Sequence, residues 1–145
     1  MMTVRRLVKP VVALAIAAAL LWAFFGQVFT GRVFYAGDIA RIYLPQRVAL
    51  TDALRSQRIA WWSSGLGIGY PLLAEGEIGA LYPLNWIICL FLSAEIGLTV
   101  SVILHYALTA LGLYLFGRSL GMSSGAGLLS AVIWAFGGFN ISHAS

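Results

Sequence analysis

The chain has 145 residues, of which 61% are hydrophobic and 10% charged, with nine Lys and Arg against five Asp and Glu and a net charge of +4. Its mean hydropathy is +0.91. A water-soluble domain of this size needs a charged coat around its core, and the long uncharged runs leave nothing to make one, so an ordinary soluble fold is excluded and lipid is the expected solvent.

Arg5, Arg6 and Lys9 precede an uncharged run over residues 10–29, matching the roughly 20 residues that cross a bilayer core. The run is too long for a signal peptide and no small-x-small cleavage site precedes Gln27, so an uncleaved spanning helix is expected. After Tyr43-Leu44-Pro45, a helix is expected over 46–58. There Arg47, Thr51, Arg55 and Arg58 share one face, with Leu50, Ala53 and Leu54 displaced around the cylinder. That basic face is expected on the membrane, either as an ordinary interfacial helix or meeting phosphate of anionic lipid or a lipid-linked donor. The apolar stretch 83–92, closed by Ser93-Ala94-Glu95, is too short to cross and is expected to be re-entrant or interfacial.

A second span is expected over 96–116, uncharged, with Thr99, Ser101, His105 and Thr109 as its polar members; at 1.5 Å per residue it covers roughly 30 Å. A turn at 117–124 leads to a third span over 125–141, rich in small residues and interrupted by Gly137-Gly138. The positive-inside rule keeps the N-terminal segment 1–9 and Arg118 cytoplasmic, so the loop 30–95 is outside. Its own Arg32, Arg41, Arg47, Arg55 and Arg58 count against this orientation less than they would in a short loop. The expected class is all-α: a polytopic α-helical membrane protein with about three transmembrane helices and a long helical extracytoplasmic loop after the first. Ending at Ser145, just beyond a helix with nothing later to pack on, the chain is expected to be the N-terminal part of a longer protein.

The outer loop is dense in Gly, Pro, Trp and Tyr, which make a folded loop instead of a solvated tether. Gly37-Asp38 follows the first span closely, and Asp38 either caps a short helix or offers a carboxylate near the bilayer surface. Trp61-Trp62, Gly65, Gly67, Gly69, Tyr70-Pro71, Glu75, Glu77 and Tyr82-Pro83-Leu84-Asn85-Trp86 follow. Aromatic residues at this density suit a membrane interface and also sugar-ring stacking. The glycines are not a dinucleotide fingerprint, because no βαβ pattern surrounds them. Nucleic acid is not an expected partner, since the basic residues lie outside the cell. His105, in mid-span, is expected to be neutral and hydrogen-bonded in packing, while His143 and Asn140 approach the loop or cap a helix end. The lone Cys89 excludes an internal disulfide.

The order Gly37-Asp38, Tyr43-x-Pro45, Trp61 or Trp62, Gly67-x-Gly69-x-Pro71, Ala74-Glu75, Leu81-Tyr82-Pro83-Leu84-Asn85, then His105, Tyr114, Arg118, Gly121 and Gly138-Phe139 resembles the bacterial YfhO-like membrane proteins. These belong with the GT-C type of polyprenyl-phosphate-sugar-dependent glycosyltransferases. The chain departs from the family at Trp62-Ser63-Ser64, where the family has a polar residue and a Pro after the Trp. The resemblance implies many spans and an acidic residue in the first outer loop that serves the acceptor or a metal, a place that Asp38 matches. It implies transfer of a sugar from a polyprenyl-phosphate donor to a cell-envelope acceptor at the outer face of the bacterial cytoplasmic membrane.

In that chemistry a sugar leaves phosphate as an oxocarbenium-like species while a carboxylate takes the acceptor's proton. Asp38 is the expected base. Arg41, Arg47 and Arg55 are candidates for the donor phosphate, with or without a divalent metal ion, and Trp61, Trp62, Glu75, Glu77, Tyr82 and Asn85 are candidate substrate contacts. The alternatives are a transporter or flippase segment, pointed to by His105 and the Gly137-Gly138 break, and a non-catalytic membrane scaffold.

Overall fold

The structure is a computed structural model that describes residues 15–16, 18–20, 22–28, 30–34 and 37–142. The basic start, residues 10–14 of the expected first span and His143 lie outside the described residues. Those described are mostly helical and contain no strand, so the fold is all-α. The described residues of 15–28 are helical. A π-helical turn, Ile39–Tyr43, runs directly into α1, Leu44–Arg55; α2 is Pro83–Phe91, α3 Ala94–Ser119, α4 Ser124–Ala135 and α5 Gly138–Ser142.

Each boundary has a local cause. Pro45 sits in the first turn of α1, where its missing N–H costs nothing. At the other end Gln57 turns left-handed (φ 55°), Arg58 N–H donates to Ala53 O at 2.8 Å and Gln57 N–H to Leu54 O at 3.0 Å. That pair of bonds is a Schellman ending. It stops the helix at Arg55 instead of 58, so Arg58 leaves the face that Arg47, Thr51 and Arg55 share. The same device closes α3: Gly121 adopts φ 82°, its N–H donates to Arg118 O and Met122 N–H donates to Gly117 O, each at 3.1 Å. The α4 helix starts where Ser123 Oγ accepts the Ala126 N–H at 3.2 Å, a Ser N-cap.

The chain divides into two compact units, one of Arg32–Val102 and one of the described residues of Met1–Gly31 with Ile103–Ala144. In the first, Leu50, Ala53, Ala60, Leu72, Ile78, Ala80 and Cys89 form a core, joined by partly buried Ala49, Leu54, Leu66, Tyr70 and Leu73. Leu50 and Leu72 are almost wholly buried, each stabilising by about 1.5–3 kcal/mol relative to exposure. The segment between the expected spans is therefore a small folded body and not a tether. Its α2, nine residues long, covers roughly 14 Å at 1.5 Å per residue, too little for a bilayer core. It buries Asn85, Ile88 and Cys89 and exposes Trp86, Ile87, Leu90 and Phe91.

In the second unit Gly127, Ala131 and Ala135 line the buried side of α4. A Cβ on Gly117 would stand 3.4 Å from Gly127 Cα, and one on Gly127 would meet the Tyr114 ring at 3.5 Å. Such small side chains let two helix backbones approach closely. Phe25 packs edge-on to Tyr106 (5.0 Å between centroids) and Phe24 stacks on Phe136 (5.1 Å).

Among the described residues one helix, α3, with 26 residues, is long and apolar enough to cross a membrane. Only 22% of its most apolar stretch is buried, and Leu108, Leu111, Leu115 and Phe116 are exposed on it. The run expected over 125–141 is two pieces, α4 and α5, separated at Phe136-Gly137, and neither is long enough to cross alone.

Candidate functional site

Asp38 stands immediately before the π turn, after Gly37, which takes a left-handed φ of 55°. The Leu44 N–H reaches back to Ile39 O, a five-residue step where an α-helix takes four. Such wide turns are rare and recur at functional sites. The step brings Asp38 and Tyr43, five apart, onto one side. Asp38 is exposed and its side chain makes no capping bond. The helix-cap alternative for Asp38 thus has no hydrogen bond behind it.

Tyr43 gathers the acidic residues of the loop. Its pKa is raised, first by the negative charge of Glu77, then by burial and the nearness of the Glu77 side chain, and further by the charges of Asp38 and Glu75. Tyr70 is raised by burial first, then by Glu75 and Glu77, while the hydrogen bond from Gln46 works the other way. That bond runs from Gln46 Nε2 to Tyr70 Oη at 2.9 Å. Glu75 Oε2 in turn accepts the Ile78 N–H at 3.1 Å, which holds its carboxylate at the turn. Asp38 and the much later pair Glu75 and Glu77 therefore act on one phenol. Both tyrosines therefore stay protonated at neutral pH. Among the described residues no group of three or more His, Cys, Asp or Glu is gathered as metal ligands.

The remaining expected contacts divide. Arg41, Trp61, Trp62 and Tyr82 are exposed, with Trp61 at 64% and Trp62 at 60%. Three others differ from the expectation, because the fold engages them internally. Arg47 turns inward, only 7% exposed, and donates through Nη1 to Cys89 Sγ at 3.7 Å. Arg55 donates to the carbonyls of Cys89 (3.0 Å) and Leu92 (2.6 Å) at the end of α2. Asn85 is buried and its Nδ2 donates to Ile78 O and Gly79 O, each at 3.1 Å. The face read as basic and lipid-facing is thus the face that α1 packs on α2, and helical periodicity alone cannot distinguish a charged face from a buried one that carries charges. Arg47 Nε, Thr51 Oγ1, Asn85 Oδ1 and Gln46 Oε1 are buried with no hydrogen-bond partner among the described residues.

His105 is exposed on α3. Asn140 is held within the fold: its Nδ2 donates to Trp134 O at 2.7 Å and its carbonyl accepts the Tyr106 hydroxyl. Tyr43 and Tyr70 went unnoticed as site residues. Nothing in the sequence announces a π turn, and only that turn aligns Tyr43 with Asp38. Compared with models of known protein families, with curated proteins and with solved structures, the chain gives no match.

Proposed function

We propose that the chain is the N-terminal part of a membrane glycosyltransferase-like protein of the GT-C, YfhO-like type, with Asp38 as the base that accepts the acceptor's proton. The supporting observation is that the Asp38 carboxylate is exposed and bound to no helix end. The charges of Asp38, Glu75 and Glu77 all act on the Tyr43 phenol, which gathers the carboxylates of this segment around one hydroxyl that can orient an incoming acceptor. Arg41, exposed three residues beyond Asp38, is the donor-phosphate candidate that remains of Arg41, Arg47 and Arg55 once the latter two are assigned to the fold. In this reading α3 and α4 with α5 lie in the bilayer, their exposed Leu111, Leu115, Phe116, Ile133 and Trp134 against lipid. The segment 30–95 then lies on the outer side, where a donor carried on a polyprenyl chain can reach it.

The test is sugar transfer from a polyprenyl-phosphate donor by the full-length protein and its Asp38→Asn variant at matched membrane expression. Asn has nearly the same shape but accepts no proton at neutral pH, so transfer is expected to fall by at least about 100-fold with the fold intact. Transfer at the wild-type rate would remove Asp38 from the chemistry.

The break between α4 and α5 favours a second reading, a transporter or flippase segment, because transporters put discontinuous helices at their substrate sites. Under that reading Asp38→Asn leaves lipid-linked sugar movement across vesicles unchanged.

A further inference from the structure

Between α1 and the loop that follows it lies an open groove of about 560 Å³. That is within the range of small-ligand sites. Leu44, Val48 and Ile59 are among the residues of its apolar side, and Asp52, Arg58, Trp62, Ser63 and Ser64 give it polar groups and an indole. Its shape is set by the backbone. Ser63 and Tyr70 exchange both N–H···O bonds at 2.8 Å, pinching residues 63–70 into a closed loop. Gly69, at φ 114°, presents a bare Cα to the Trp62 indole, since a Cβ there would fall 2.5 Å from the ring. Trp62 is thereby seated on glycine backbone while remaining 60% exposed.

The side-chain polar groups at the groove are uncommitted: Asp52, Arg58, Ser63 and Ser64 make no side-chain hydrogen bond or ion pair among the described residues. A carboxylate, a guanidinium and two hydroxyls beside an exposed indole match one ligand chemistry. The apolar C–H face of a pyranose stacks on an aromatic ring, while its adjacent hydroxyls bond in pairs to a carboxylate as acceptor and a guanidinium as donor. One negative and one positive charge cancel, which favours a neutral sugar over a phosphate. An alkyl chain in the groove would strip water from Asp52 and Arg58 and return no hydrogen bond.

We infer that this groove binds a neutral saccharide, its ring on Trp62 and its hydroxyls on Asp52 and Arg58. As the acceptor subsite of a transferase it rests on the reading above; the binding itself requires neither donor nor catalysis.

The experiment is saturation-transfer NMR on the whole chain in uncharged phosphatidylcholine nanodiscs. The probes are glucose, galactose, mannose, N-acetylglucosamine and N-acetylgalactosamine, each as monosaccharide and disaccharide. Saturable binding in the millimolar range is expected for at least one probe. Trp62→Ala and Asp52→Asn should each weaken it by about tenfold or more, the loss of one stacking surface or one charge-assisted hydrogen bond. Trp62→Phe, which keeps a ring and guards against misfolding of the Ala variant, should hold it within about threefold. Absence of saturable binding with every probe, or binding indifferent to either Trp62→Ala or Asp52→Asn, overturns the inference. Binding is measured without donor or turnover and transfer is measured separately, so failure of the groove and failure of the transferase reading are distinguished.

Discussion

Arg55 tests whether the basic face of α1 holds the fold together. Its guanidinium closes the end of α2, donating Nε to Cys89 O at 3.0 Å and Nη2 to Leu92 O at 2.6 Å. Carbonyls at a helix end lack partners within the helix and attract cations. A hydrogen bond to a charged group contributes about 1.5–3 kcal/mol when shielded, and an exposed one contributes much less. The Cys89 bond is partly buried and the Leu92 bond exposed, so the first counts nearly in full and the second for about 0.5 kcal/mol. Arg55→Ala is therefore expected to destabilise the Arg32–Val102 unit by roughly 2–3 kcal/mol. Arg55→Lys keeps the charge near the carbonyls but not the planar fork, and should lose about half as much. The assay is equilibrium denaturation of the whole chain in mild detergent, followed by tryptophan emission, with vesicle binding measured in parallel. A phosphate-binding Arg55 would give the opposite pattern: stability within about 0.5 kcal/mol of wild type and weakened binding to anionic vesicles. That result would refute the capping role.

Two further outcomes follow from the same unit. Arg47, buried with Nε unpartnered and only a thiol sulfur as acceptor, should be replaceable: Arg47→Met is expected to be neutral or to stabilise by about 1–3 kcal/mol in the same denaturation assay. A loss greater than about 2 kcal/mol would mean that the guanidinium has a partner. Gly69→Ala forces a side chain into a left-handed φ of 114° and against the Trp62 ring. A cost of at least about 1–2 kcal/mol is expected, together with greater acrylamide quenching of tryptophan as Trp62 is displaced. Unchanged stability and quenching would show that Trp62 is not seated on Gly69.

Much of the helical content could be read from the sequence, because its signals act over one or two turns. An uncharged run from Ile96 to Phe116 calls for a helix whatever surrounds it, and α3 extends it by two residues at the start and three at the end. Pro45 and Pro83 mark helix starts, and Gly121 marks a stop, through their own backbone limits. Arg58 illustrates where local reasoning ran out. It continues the periodicity of 47, 51 and 55, but Gln57 accepts a left-handed turn, and no residue type forecasts that for a glutamine.

What only the tertiary structure decided is which way each face looks. Charge pattern placed Arg47 and Arg55 toward lipid, whereas packing of α1 on α2 turned them onto Cys89 and the last carbonyls of α2. The reason is that a helix face is chosen by the summed apolar burial of Leu50, Ala53, Leu72, Ile78 and Cys89, and long basic side chains follow wherever that burial leads. The acidic site has the same origin. Asp38 was visible as the first carboxylate after a span, but its link to Glu75 and Glu77 runs through Tyr43, across a turn and a loop whose closure depends on contacts more than thirty residues apart. Composition specified a helical chain suited to lipid, and long-range packing specified which of its charged residues remain free to do chemistry.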